Sequence, residues 1–204
     1  NNFIKENYKI AQNLWSKILK YDPENLPILK NLSLAYFKDN DLKNAETVLK
    51  KIIDINKNET NALTTLIFIL EQQDKIEELK KYIDFGLKEK LLDKHWLIKK
   101  KIIFPLIFED KNDINNIRKD LTNKIDEITT SKKKLSFEVD QHLIKPLQFN
   151  LSYDHNDNLK INKKCVNLFR NIYPELNKVY QLKQSLGNKI KIGFVSNYFT
   201  DHTI

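Results

Sequence analysis

Glycine is nearly missing from this chain, with three residues in 204. A nucleotide-binding α/β fold needs glycine in its phosphate-facing turns, so a complete fold of that kind does not fit here and helices should dominate. Cysteine is scarcer still: Cys165 stands alone, which excludes an internal disulfide framework and fits a reducing compartment, the cytoplasm. It falls with Ile161, Leu168 and Ile172 at helical spacing and reads as buried filler rather than a nucleophile. No apolar run approaches the roughly 20 residues of a membrane-spanning helix. The first apolar stretch is broken by Lys5, Glu6, Lys9 and Gln12, so no signal peptide is visible. Arginine is short too. The net charge is +8, yet Arg118 and Arg170 are the only arginines, and the lysines are spread among asparagines with tight runs only at Lys99–Lys101 and Lys132–Lys134. Phosphate and base-edge recognition favours the guanidinium fork, so the charge reads as solvated helix faces and no nucleic-acid partner is expected.

What the chain does contain is a repeat. Ala11, Trp15 and Ile18 are matched 34 residues later by Ala45, Leu49 and Ile52, and again by Leu79, Ile83 and Gly86. Leu29, Leu32, Ser33 and Tyr36 are matched in the same way by Leu63, Leu66, Ile67 and Leu70. A helix pair cannot bury its apolar stripe alone, so neighbouring pairs stack, with Trp15, Tyr36 and Phe37 filling the wedge and Ala11 and Ala45 permitting close approach. The pattern resembles the tetratricopeptide repeat over residues 1–90, about two and a half units. Pro23 follows the first unit, whereas Lys57 and Leu91 stand at the equivalent later places, and the third unit suits an array end. Stacked pairs make a groove, and Asn31, one position before Leu32, is the candidate acceptor-binding residue on its wall. An amide there can hold a peptide backbone, being both donor and acceptor.

Beyond Leu91 the register fades into a helical linker region, 91–188. The sequence predicts an apolar helix over His95–Phe108 that Pro105 kinks or ends, an amphipathic helix from Asp110–Asp113 with Ile114, Ile117, Leu121, Ile125 and Ile128 on one face, an extended alternation Leu147, Phe149, Leu151, Tyr153, and a helix over Leu159–Ile172. Ile190–Ser196 is too apolar for a strand with one wet face, which predicts a strand inside a parallel sheet. One strand supplies no sheet, so residues 189–204 are expected to open an α/β catalytic domain that is truncated here. The absent methionine and the half-repeat at Asn1–Lys20 are expected to reflect truncation at the other end.

The order of features then carries a family resemblance: the repeats, Phe-Pro-Leu-Ile-Phe-Glu-Asp at 104–110, Phe-Asn-Leu-Ser-Tyr-Asp-His-Asn-Asp at 149–157, and Lys-Ile-Gly-Phe-Val-Ser at 191–196 with Asp-His-Thr-Ile behind it. This resembles the N-terminal portion of bacterial members of the SPINDLY and O-linked N-acetylglucosamine transferase family. The resemblance implies a mainly α chain, a tetratricopeptide solenoid and helical linker leading into the first strand of a GT-B glycosyltransferase. It implies protein acceptors in the repeat groove, a UDP- or GDP-sugar as donor for the whole protein, and transfer to serine or threonine hydroxyls. His202 looks like the family's histidine in the loop after the first catalytic strand, where an imidazole titrating near neutrality can accept a hydroxyl proton. Asn197 and Tyr198 stand where relatives often have a small residue and an aspartate, which leaves the donor preference open. No cofactor is expected to be held by residues 1–204 themselves. The alternative reading is a protein-binding scaffold without transferase activity. Asp154, His155 and Asp157 read as a helix start rather than a metal site, with no second group at ligand spacing. Ser196 lacks the Gly-x-Ser-x-Gly elbow of a hydrolase.

Overall fold

The computed structural model describes residues 2–108, 110–131, 134–135, 151 and 156–178, with the side chains of residues 2–6 left out. The strand expected at Ile190–Ser196, His202 and most of the alternation expected at 147–153 lie outside the described residues. Among those described, the chain is mainly helical and has no strand. Its elements are α1 (Asn2–Ile18), α2 (Leu26–Lys38), α3 (Leu42–Ile55), α4 (Thr60–Gln72), α5 (Ile76–Lys88), α6 (His95–Lys101), α7 (Lys111–Thr130), α8 (Leu159–Ile172) and a 3-10 turn, Pro174–Asn177. From α1 to α7 each helix packs on the next in chain order, and α8 packs on α7.

The 34-residue period of the sequence is also a period of the backbone. The starts of α2 and α4 lie 34 residues apart, as do their ends and the starts of α3 and α5. The turns repeat as well. Asn40 and Asp74, again 34 apart, both take the left-handed conformation, with φ of 61° and 57°. In each, the following N–H reaches back to the helix, Asp41 N to Tyr36 O at 2.9 Å and Lys75 N to Leu70 O at 2.9 Å, closing the six-to-one bond of a Schellman motif. Asn25 caps α2 by accepting from Ile28 N at 3.1 Å, and Asp41 caps α3 by accepting from Asn44 N at 3.2 Å.

The same motif ends α5, where Lys90 has φ 59° and Leu91 N bonds Gly86 O at 2.8 Å. Lysine gains nothing there from a short polar side chain, unlike Asn40 and Asp74, so it carries the full steric cost of the left-handed region. Lys90→Gly is expected to stabilise the chain by about 0.5–1 kcal/mol, once the extra freedom of unfolded glycine is subtracted. A urea midpoint that moves down instead would show that this turn is not held as described.

Two cores result. The first gathers Leu29, Ala45, Leu49, Ile52, Leu63, Leu66, Ile67, Leu70, Leu79 and Ile83 from α2–α5 and extends to Leu92 and Trp96. Tyr36 and Phe37 pack on its edge, while Trp15 is half-buried and Ile18 stays 44% exposed. The second joins α7 to α8 through Leu121, Ile125, Ile128, Ile161, Cys165, Leu168 and Ile172. Arg118 ties the pair by donating to Asn158 Oδ1 at 2.6 Å and Asp157 O at 3.1 Å. Burial pushes the Cys165 thiol up to about 11, so it is protonated and inert at neutral pH.

The helices expected to start at Asp110–Asp113 and to cover 159–172 are present, and Asp110 caps the first by accepting from Asp113 N at 2.8 Å. Two details differ. The helix begun at His95 stops at Lys101, before Pro105, because residues ahead of a proline are driven out of the α region, and Ile102 and Phe104 turn into the second core instead. Leu151, expected in an extended run, is helical and fully buried, because the α7–α8 core takes its side chain.

Candidate functional site

The groove stands on α2, α4 and α6, the first helices of successive hairpins. α6 begins one residue from the place that the 34-residue shift assigns to the next such helix, so the repeat frame continues past Leu91 although its apolar pattern does not. The groove encloses about 520 Å³. Leu49 and Ile52 of α3 lie at its base, Leu34 and Phe37 form the α2 wall, Ala62, Thr64, Thr65 and Phe68 the α4 wall, and Trp96 with Lys99 the α6 end.

Its apolar part is a socket. Phe37 and Phe68 meet edge to face, with ring centres 5.8 Å apart at 75°, an arrangement that fixes both rings. Leu34 beside them is 55% exposed, a large apolar side chain presented to whatever enters. Ala62 carries only a methyl group, which keeps the space open.

The polar part is mostly committed. Lys30 pairs with Glu59 at 2.8 Å, and Glu59 also accepts from Asn56 Nδ2 at 3.1 Å. Lys99 reaches Glu71 at 3.1 Å and lies 5.1 Å over the Trp96 ring. Thr65 donates its hydroxyl proton to Asn61 O at 2.8 Å and Thr64 to Thr60 O and Asn61 O at 3.1 Å. Both hydroxyl oxygens keep lone pairs, so they can still accept from the N–H groups of a bound backbone.

Asn31 is exposed on α2 and is not among the residues lining this groove. Its equivalents one and two repeats on, Thr65 and Lys99, are. Lys99 reaches back to Glu71 of the preceding first helix, α4. The amide that does line the groove is Asn61, exposed at the start of α4. Sequence reasoning missed Asn61, Thr65, Trp96 and Lys99; the shift of 34 from Asn31 pointed to Thr65 and Lys99, but the loss of apolar register after Leu91 hid the second.

At the other side of α6, His95 stacks on Tyr173 with ring centres 5.6 Å apart, and Asp93 Oδ1 lies 2.9 Å from both the His95 amide nitrogen and Nδ1. Burial, with a smaller contribution from Asp93, pushes the Tyr173 phenol up to about 12. This contact joins α6 to the end of α8 and reads as a structural tie. Among the described residues no three His, Cys, Asp or Glu side chains converge on a metal position, and no helix is long and apolar enough to cross a membrane. No family model matches this sequence, and no curated protein matches it.

Proposed function

We propose that this chain is the acceptor-holding front part of a nucleotide-sugar-dependent protein O-glycosyltransferase, the stacked hairpins of residues 1–90 and α6 binding a segment of a partner protein. The observation that carries the binding half is the α2–α4–α6 groove, an apolar socket bordered by an amide and two hydroxyl oxygens suited to an extended backbone. The transferase half rests on the resemblance of residues 104–110, 149–157, 191–196 and 201–204 to the SPINDLY and O-linked N-acetylglucosamine transferase family. In this reading His202 serves the acceptor hydroxyl as base or positioning group, a UDP- or GDP-sugar is the donor, and the setting is cytoplasmic.

The division of labour is testable. Phe68→Ala in the whole protein is expected to weaken acceptor binding about tenfold, as loss of a central aromatic anchor does. Titration calorimetry of residues 1–204 with UDP- and GDP-sugars is expected to show no binding, because a GT-B donor site needs helix N-termini and a basic side chain from a second lobe. Micromolar donor binding by this chain would overturn the assignment. A plain protein-binding scaffold is the second reading. The groove favours it to this extent: all of its lining comes from residues 30–99, so it needs no catalytic lobe to work.

A further inference from the structure

The groove's charges are unequal in their freedom, and this bears on what it can hold. Three lysines and one carboxylate line it. The carboxylate, Glu59, already holds Lys30 and Asn56 through Oε1, so an incoming lysine or arginine meets an acid whose charge is largely balanced by Lys30. Lys30 and Lys99 are likewise engaged, with Glu59 and Glu71. Lys38 differs: it is exposed at the last turn of α2, next in sequence to Phe37 of the socket.

We infer that the groove selects acidic segments, an unfolded stretch of partner protein that places one bulky apolar side chain in the Leu34–Phe37–Phe68 socket and a carboxylate next to it on Lys38. The inference rests on the reading of the groove as a binding site for a protein segment. Two physical terms support the sign. The apolar anchor supplies burial, and the ammonium of Lys38 discriminates between acidic and basic neighbours of that anchor. The chain's net charge of +8 adds a long-range attraction that raises the encounter rate of an acidic partner and lowers that of a basic one. Thr64, Thr65 and Asn61 bind backbone and are indifferent to side-chain charge, so selectivity falls to Lys38.

The test uses the full chain and three fluorescein-labelled dodecapeptides in a serine–glycine background, each with a central leucine flanked by two glutamates, two glutamines or two lysines. Anisotropy titration is expected to rank them glutamate, glutamine, lysine. Lys38→Glu, at an exposed site, is expected to weaken the glutamate peptide about fivefold, the upper range of one exposed ion pair, and to improve the lysine peptide. Leu34→Glu, equally exposed, is expected to weaken both the glutamate and the glutamine peptides by removing one wall of the socket. Added salt should compress the ranking. Equal affinity for the three peptides, or a ranking that Lys38→Glu leaves unchanged, overturns the acidic selectivity while the groove stands. Binding that Leu34→Glu does not touch places the peptide elsewhere and removes the groove reading with it.

Discussion

Gly86→Val is expected to destabilise the chain by about 3 kcal/mol, the upper end of what overpacking a filled interior costs. A Cβ built on Gly86 stands 2.5 Å from Leu92 Cδ1, 2.6 Å from Leu92 Cγ and 2.7 Å from Leu63 Cδ2. Gly86 sits inside α5, where glycine is about 1 kcal/mol worse than alanine, so the helix tolerates it for the sake of this approach. One repeat earlier the same place is Ile52, fully buried. In the third unit Leu92, arriving from the turn after α5, fills the space that the isoleucine fills in the second, and glycine makes the exchange possible.

Leu63 is fully buried and cannot retreat, whereas Leu92 lies on a connection with more room to move. Gly86→Ala combined with Leu92→Ala is therefore expected to cost less than the two single changes summed, by about 1 kcal/mol, as contacting sites do. Urea unfolding of the four proteins gives the comparison. Strict additivity would mean that Leu92 is not seated against Gly86.

Glu46→Ala is expected to cost about 2 kcal/mol and to change how stability depends on pH. Glu46 is 6% exposed, with Oε1 2.6 Å from Lys50 Nζ and Oε2 2.6 Å from Lys75 Nζ, and Lys50 also pairs with Glu78. The network fastens α3 to α5 and to the turn before it. Burial by itself pushes the Glu46 carboxyl up, but the hydrogen bonds and charges of Lys50 and Lys75 together outweigh it and hold the group below its usual 4.5. A lowered folded value means that the ionised carboxylate stabilises the fold above the unfolded pKa and that this contribution fades as pH falls through the folded one. The wild-type protein should accordingly lose stability on acidification below about pH 4.5, and Glu46→Ala should lose less over that interval. The cost stays near 2 kcal/mol because the Lys50 and Lys75 side chains are 29% and 43% exposed and can return to water. A variant whose acid-limb slope matches the wild type would assign that slope to other carboxylates.

Much of the helical framework was legible in the residues. The shift of 34 that relates Leu29 to Leu63 and Ala11 to Ala45 reappears as the spacing of α2 to α4 and α3 to α5, because apolar periodicity and caps such as Asp110 act within a turn or two of chain. The helix at Leu159–Ile172 was legible for the same reason. The binding wall was not. Asn31 and Thr65 occupy the same place in the repeat, yet Thr65 lines the groove and Asn31 does not, a difference made by which neighbouring helix stands opposite. Leu151 likewise alternated with Leu147, Phe149 and Tyr153 as a strand would, and the α7–α8 core gave it a helical place.

The amino-acid order by itself determined the hairpin frame and its period, since these follow from local backbone preferences and from apolar stripes repeating every three to four residues. Only the tertiary structure decided that α6 closes the groove, that Leu92 occupies the space beside Gly86 and that, among the described residues, Lys38 has no carboxylate partner while Lys30 and Lys99 are engaged. The ion pairs Lys30–Glu59 and Lys99–Glu71 join residues 29 and 28 positions apart, and Gly86 meets Leu63 from the preceding helix as well as the nearby Leu92, so the pairing is set by the stacking of whole helices and is not written in any local pattern.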